Sequence, residues 1–372
     1  MEPITHFLTG ACIGRAGLNR KTACATVVSV LAAEAADLDV LWGFSGPVEE
    51  LKHHRGITHT FIGAPFVAAI VVGVVALFYL WRESRRALKD PATPDQIPAS
   101  KRKPPLRWLW LYATALIAAF SHILLDWTNN YGVRPFFPFN PRWYTGSFMF
   151  IAEPVLWALF VLALVVPWLL GLADREMGAR RPLFRGQRWA IFALIGTVVL
   201  GCWRWAEHAQ AVTLIGNGQV TTAPVSRAEA EPFPVNPWRW HAILETPGFY
   251  QTAEVNTRTG YVDTDPNINI LYKPAFTPAI QIAKQTPLGQ AYLDWGTWAV
   301  VRDVGKQAIP GAEMPRLPGG LTWTTVEFTD LRFAYSFRNG ESTRAPAGLG
   351  AWVYIIDNRD AGGEFMGGRE QK

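Results

Sequence analysis

Apolar positions run in long blocks through the first 207 residues and in short alternations after them. Residues 61–81 hold 21 positions without a charge, 109–125 and 150–172 are two further full spans, and 189–203 is a shorter one. Continuous apolar runs of about this length predict transmembrane helices. Ahead of them, 4–18 and 22–41 read as two helical stretches around Asn19-Arg20-Lys21. At the helical rise per residue, the arms from His6 to Asn19 and from Lys21 to Asp37 measure about 20 and about 24 Å. That is a helical hairpin dipping most of the way into a bilayer, and it returns His6 and the acidic group Glu34, Asp37 and Asp39 to one level.

From 208 onward the patterns shorten. Residues 250–262, with Asn256-Thr257-Arg258-Thr259-Gly260 inside, predict a hairpin; 324–328 and 332–337 alternate, and Asn339-Gly340 is a favoured hairpin turn. Residues 352–356 read as a strand, 277–293 as one helix, and the Gly-rich tail after Asp360 as frayed. The expected fold is an α-helical membrane domain over 1–207, a hairpin plus about four spans, followed by a mainly β soluble domain over 208–372.

Composition supports that division. Of 372 residues 49% are hydrophobic and 17% charged, below the charged share of about 25% usual in soluble proteins. Seventeen Trp and 27 Pro suit interfacial aromatic belts and an irregular extramembrane domain. The net charge of +5 gathers in loops, so nucleic acid is not needed to explain it and is not an expected partner. Segment 82–107 carries Arg82, Arg85, Arg86, Lys89, Lys101, Arg102, Lys103 and Arg107, and 173–188 carries five arginines, whereas 128–149 has only Arg134 and Arg142. The positive-inside rule therefore puts the first two segments and the hairpin tip in the cytoplasm, and 128–149 and the C-terminal domain outside. Cys12, Cys24 and Cys202 lie in apolar segments with no CxxC, which argues against a disulfide framework or a cysteine zinc site. No basic stretch precedes a long apolar core at the start, so no cleavable signal peptide is expected.

On this topology the polar residues of the embedded half converge on the outer face. His53, His54 and His59 precede the first span, His122 and Asp126 end the second, Glu153 opens the third, and His6, Asp37 and Asp39 join them by the hairpin argument. His122 and Asp126 are one helical turn apart, so an imidazole nitrogen and a carboxylate oxygen can reach one ion from successive turns. Ionisable groups inside membrane segments are costly, and by default mark a functional site. A mixed His/carboxylate set of six to nine groups exceeds what one tetrahedral zinc needs; it suits two or more divalent ions, or one ion plus a general base, with zinc the expected metal. Such a site lowers the pKa of bound water and polarises an ester. Arg55 suits a phosphate-binding role beside the metal. His53 has a surface or supporting role, and His208 and His241 read as structural or exposed.

With these residues assembled, the chain resembles the YdjM-type family of inner-membrane, metal-dependent hydrolases. The matching pieces are Thr5-His6-Phe7-Leu8-Thr9-Gly10, Asp37-Leu38-Asp39, His54-Arg55-Gly56-Ile57-Thr58-His59-Thr60 and Ser121-His122-Ile123-Leu124-Leu125-Asp126. Asn130-Tyr131-Gly132-Val133-Arg134-Pro135 follows, and weaker pieces are Phe233-Pro234-Val235-Asn236-Pro237 and Thr329-Asp330-Leu331-Arg332-Phe333. The family usually has Pro where this chain has Ala36, and Asp where Glu153 stands. The family is distantly similar to zinc-dependent phospholipases C. The resemblance implies a multi-pass protein of the bacterial inner membrane, acting on a phosphoester or related ester of a lipid or envelope component. His6, Asp37, Asp39, His54, His59, His122 and Asp126 are the expected metal ligands, and Glu34, Arg55 and Glu153 the expected catalytic residues. The alternative is a non-enzymatic membrane protein with a structural metal site or an ion-transport role. The apolar cytoplasmic halves of 61–81 and 150–172 weigh against transport.

Overall fold

The computed structural model describes residues 1–89, 104–177, 185–217, 220–263, 265, 269–309, 312–315, 317–318, 320–334, 337–338, 341–342 and 349–371. Lys101, Arg102, Lys103, Arg180, Arg181 and the Asn339-Gly340 turn lie outside them. Contacts divide the chain into two units, Met1–Leu38 with Arg55–Arg204, and Asp39–His54 with Trp205–Lys372.

The first unit begins with α1 (Pro3–Arg15) and α2 (Ala25–Glu34), the expected hairpin. Pro3 opens α1 where its missing N–H is no loss, and the Glu2 carboxylate accepts from the Thr5 N–H at 3.2 Å. The helices approach closely because α1 presents glycine, one turn apart, to α2. A Cβ on Gly10 would stand 2.7 Å from the Ser29 carbonyl oxygen, and one on Gly14 would stand 2.5 Å from the Thr26 Cα. This is the small-residue seam by which helices pack in a bilayer, where apolar side chains gain little from leaving lipid. The chain beyond Glu34 tightens into a 3₁₀ stretch, Ala35–Ser45, rather than continuing the α-helix expected to 41. With three residues per turn, Glu34 and Asp37 come onto one face.

Among the described residues four helices are long and apolar enough to cross a membrane: α4 (Gly63–Lys89), α5 (Trp108–Thr128), α6 (Pro154–Glu176) and α7 (Gln187–Asn217), with α3 (Pro47–His53) lying earlier in the second unit. Small and β-branched side chains knit α2, α4 and α5 together, among them Val28, Ala32, Ala68, Val72, Ala115 and Ala118. Two helices overrun their apolar blocks. The start of 82–107, expected as loop, is helical to Lys89, because Glu83 and Arg86 pair across one turn at 2.9 Å and no breaker intervenes. Helix α7 continues past 203 to Asn217 through good helix formers, and only its hydropathy falls, because Arg204, Glu207 and His208 interrupt the apolar run.

In the second unit every named strand pairing is antiparallel. One sheet joins β1 (Arg227–Pro232), β2 (Arg239–Glu245), β3 (Phe249–Asn256) and β4 (Tyr261–Asp263) in order, with β5 (Ile270–Tyr272) also on β3. The expected hairpin is present, with Asn256 opposite Tyr261 and Gly260 at φ +70°. Residues 277–293 form two helices rather than one, α8 (Pro278–Gln285) and α9 (Pro287–Trp295). Pro287 cannot donate the hydrogen bond that would continue α8, and the Thr286 hydroxyl caps the new helix by accepting from the Gly289 N–H at 3.1 Å.

The second sheet has the order β12-β11-β10-β7-β6, from β6 (Ala299–Asp303), β7 (Trp323–Asp330), β10 (Ala351–Ile356), β11 (Asp360–Met366) and β12 (Arg369–Glu370). A two-residue ladder joins β8 (Phe337–Arg338) to β9 (Glu341–Ser342). The tail expected to fray is instead a strand, because β11 finds a complete partner in β10 with a bulge at Tyr354/Ile355. Segment 39–54 is held in this unit by the Val48 N–H, which donates to Gln371 Oε1 at 2.9 Å, and by the Arg369–Glu50 ion pair. Arg332, fully buried, donates from Nε and Nη2 to the two oxygens of Asp330, both at 2.9 Å. Buried His241 donates to the Leu331 carbonyl at 3.1 Å, and burial pushes its pKa down to about 4.

The glycine seam gives a direct test. Gly14→Val drives a branched side chain into the α2 backbone and should cost about 1–3 kcal/mol. It should lower the thermal midpoint of the detergent-purified protein by several degrees and weaken divalent-metal binding with it. Unchanged melting would remove the seam as the cause of the close approach.

Candidate metal centre

Three separate stretches bring four ligand groups together. Asp37 comes from the 3₁₀ stretch after α2, His59 from a short 3₁₀ turn Ile57–His59 before α4, and His122 with Asp126 from successive turns of α5. One donor atom from each lies within 4.8 Å of all the others. His59, His122 and Asp126 are fully buried.

His59 Nε2 is 3.3 Å from Asp37 Oδ1 and 3.5 Å from Asp126 Oδ2, and His122 Nε2 is 3.5 Å from each of the same oxygens. The two Nε2 atoms face one another at 2.9 Å. Four donors placed tetrahedrally at zinc's usual bond lengths of about 2.0–2.1 Å would stand roughly 3.3 Å apart. The histidine–carboxylate and histidine–histidine separations, 2.9–3.5 Å, fall around that value.

The donor chemistry fits a cation as well. His122 Nδ1 donates to the Ala33 carbonyl at 2.6 Å, which fixes the tautomer and leaves the Nε2 lone pair facing the cluster. Asp37 Oδ2 and Asp126 Oδ2 are buried and accept no hydrogen bond. Buried carboxylate oxygens with no donor are costly, and a positive ion among them removes that cost. Burial works against the ionised Asp37, but the hydrogen bond from His59 and the neighbouring His122 outweigh it and hold its pKa down.

A supporting ring surrounds these four. His6 stacks on His122 with ring centroids 3.8 Å apart, and its Nε2 lies 3.3 Å from Asp126 Oδ1. The Met1 ammonium bonds the same oxygen, and Arg55 Nη2 donates to it at 3.0 Å. Arg55 is itself pinned: its φ is +53°, Nη1 donates to the Gly132 carbonyl at 2.6 Å, and the guanidinium lies 4.6 Å from the Tyr131 ring centroid. Its place is behind Asp126, holding that carboxylate, rather than free to grip a phosphate as the sequence suggested. Glu34 Oε1 is buried without a hydrogen bond; burial and the charge of Asp37 push its carboxyl up to about 7, against a backbone hydrogen bond at Phe7.

The remaining expected residues lie elsewhere. His54 Nδ1 and Asp39 Oδ1 pair with each other at 3.1 Å in the second unit, where His53 stacks on Trp42 with centroids 4.2 Å apart. Glu153 stands just before α6, outside the four-residue group, with Arg204 as the cation whose charge it feels. Sequence reasoning missed the Ala33 carbonyl, which no side-chain pattern reveals, and the Gly10/Gly14 seam, which the four-residue glycine spacing could have signalled.

Four apolar spans with a buried cluster of two histidines and two carboxylates at one end define a membrane protein with a candidate metal site. The chain belongs to the YdjM inner membrane protein family, whose model matches residues 1–211 and so includes every member of the cluster. Over 179 residues it is 22% identical to the "Uncharacterized protein YfhP" of Bacillus subtilis (strain 168), an alignment covering 46% of this chain and 47% of the relative. The chain thus spans about half the length of that relative. No solved structure matches it.

The division of ligands is open to test by zinc titration against a chromophoric chelator. Asp37→Asn or His122→Gln should weaken zinc at least ~100-fold, whereas Asp39→Asn with His54→Gln should change it less than ~3-fold. A comparable loss in the second variant would return Asp39 and His54 to the ligand set.

Proposed function

We propose that this protein is a membrane-bound, metal-dependent hydrolase that cleaves a phosphoester or related ester at the outer face of the bacterial inner membrane. The observation that carries this reading is the set of four donors, two imidazole and two carboxylate, whose ligand atoms lie within 4.8 Å of one another. Two nitrogen and two oxygen donors, with no sulfur, favour zinc over softer ions. A divalent cation held there supplies Lewis acidity, acidifying water and polarising an ester oxygen.

The chain's own residues divide the remaining work. Asp37, His59, His122 and Asp126 hold the cation. His6 packs against His122 and keeps its ring in place, and Arg55 fixes the rotamer of Asp126 while balancing its charge. Glu34 is the favoured general base: its Oε1 is buried without a hydrogen bond, and burial and the charge of Asp37 raise its affinity for a proton toward neutrality in the metal-free chain. Glu153 is the weaker choice, because Arg204 rather than the cluster is the cation that faces it.

Location supports a lipid or envelope substrate. The cluster lies at the ends of spanning helices, where a headgroup ester would meet it without leaving the membrane. The outward orientation rests on the basic segments 82–107 and 173–188. The C-terminal unit, on that orientation, lies outside, with a part in selecting the substrate.

The test uses detergent-purified protein with short-chain phosphodiester and phosphomonoester lipids. Hydrolysis should disappear on chelation and return with zinc. Glu34→Gln should keep zinc stoichiometry but lower kcat by about 10²- to 10⁴-fold, with KM changed little. A zinc-replete protein inert toward every ester would make the centre structural.

A further inference from the structure

The four donors of the cluster are closed off unequally. The Asp37 side chain is 20% exposed, whereas those of His59, His122 and Asp126 show no exposed surface. Asp37 is therefore the donor at which the centre opens. Its chain neighbour Leu38 is 61% exposed. The Glu34 carboxylate, which feels the charge of Asp37, accepts from the Phe7 N–H, and Phe7 is exposed as well.

Apolar exposure recurs on every element that carries a ligand. Ile57 and Phe61 flank His59, Ile4 and Phe7 flank the supporting His6, and Leu124 stands between His122 and Asp126, all of them exposed. Residues 3–10, 57–62 and 108–125 contain no Lys, Arg, Asp or Glu. A mouth that opens to water is lined with polar side chains. Large apolar side chains exposed together mark contact with a partner or a membrane.

Two observations identify that contact as the bilayer. The exposed side chains continue onto the outer surface of helices long enough to span: Phe61 leads to Phe66 and Ile70 on α4, and Leu124 stands two turns from Ile117 on α5, each exposed. Depth agrees with this. At 21 residues α5 is about 31 Å long, close to the hydrocarbon thickness of about 30 Å. Asp126 and His122 stand two and six residues before its end at Thr128, and so about 3 and about 9 Å inside that boundary.

We infer that the centre opens sideways into the leaflet rather than into water, and that it takes a lipid whose acyl chains lie against Phe7 and Leu38 while its ester reaches Asp37. A soluble ester would have to pass the exposed apolar side chains to arrive. A lipid already holds its ester linkages near the hydrocarbon boundary. What becomes of the lipid rests on the hydrolase reading; how it arrives rests on these apolar side chains.

Spin labels test the route without any turnover. Full-length protein with Cys12→Ala, Cys24→Ala and Cys202→Ala is labelled singly at Phe7→Cys or Leu38→Cys and reconstituted in phosphatidylethanolamine–phosphatidylglycerol vesicles. Exposed Tyr261→Cys of the second unit gives the aqueous reference. Oxygen, which concentrates in lipid, should relax the labels at 7 and 38 more than a water-soluble nickel chelate does, with the order reversed at 261. Nickel dominance at 7 and 38 would make the mouth aqueous, and protection from both would mean that protein covers it; either overturns the inference. A second arm compares a diacyl phosphodiester lipid with its deacylated glycerophosphodiester. The lipid should have the higher kcat/KM by at least ~100-fold, and Phe7→Gln with Leu38→Gln should cut that ratio at least ~10-fold at unchanged zinc content. Equal kcat/KM for the two, or a ratio untouched by the double variant, would also overturn it. Labels in lipid on a zinc-replete protein inert toward every ester would instead remove the hydrolase reading alone.

Discussion

The candidate centre depends on how one buried carboxylate is held. Asp126 is fully buried near the end of a spanning helix, where an unpaired charge costs several kcal/mol or more. Its two oxygens are differently engaged. Oδ1 receives Arg55 and the Met1 ammonium, with His6 beside it, while Oδ2 faces His59 and His122 and accepts no hydrogen bond. One oxygen is thereby anchored and the other reserved. Arg55 can anchor it only because the backbone before α4 adopts a left-handed turn and the Gly132 carbonyl takes the other side of the guanidinium.

The rest of the first unit keeps that arrangement in place. The hairpin brings Asp37 and the Ala33 carbonyl to α5, and it can do so only because Gly10 and Gly14 let α1 and α2 touch backbone to backbone. A 3₁₀ turn after Glu34 then sets Asp37 facing the histidines while Glu34 remains beside it. Each histidine of the cluster is oriented by a neighbour: His122 by Ala33, and His59 by Thr58, whose hydroxyl lies 3.1 Å from Nδ1. Fixing the outer nitrogen of a ring is how proteins aim the inner one at a cation.

Much of this was legible in the chain because membrane segments are governed by length and charge. The His-x3-Asp spacing on a span placed His122 and Asp126 on one face, and hydropathy located the start of α4 and both ends of α5 and α6 to within a few residues. Other features depend on tertiary partners that a linear pattern does not carry. Asp39 and His54 looked as ligand-like as Asp37 and His59, yet the chain leaves the first unit between Leu38 and Asp39 and re-enters it between His54 and Arg55. Neighbours in sequence are therefore assigned to different units. Arg55 read as a substrate cation because sequence shows its charge but not that Asp126 and Gly132 hold it. The glycines after Asp360 suggested fraying, but strand β10 supplies the backbone partner that orders them.

X-ray absorption spectroscopy at the zinc edge of full-length, zinc-loaded protein tests the central claim most directly. The result expected is a single shell of nitrogen and oxygen scatterers near about 2.0 Å with the outer-shell signature of two imidazoles, falling toward one in His59→Ala. A sulfur shell, an absence of imidazole scattering, or a protein that retains no zinc would contradict a centre built from Asp37, His59, His122 and Asp126.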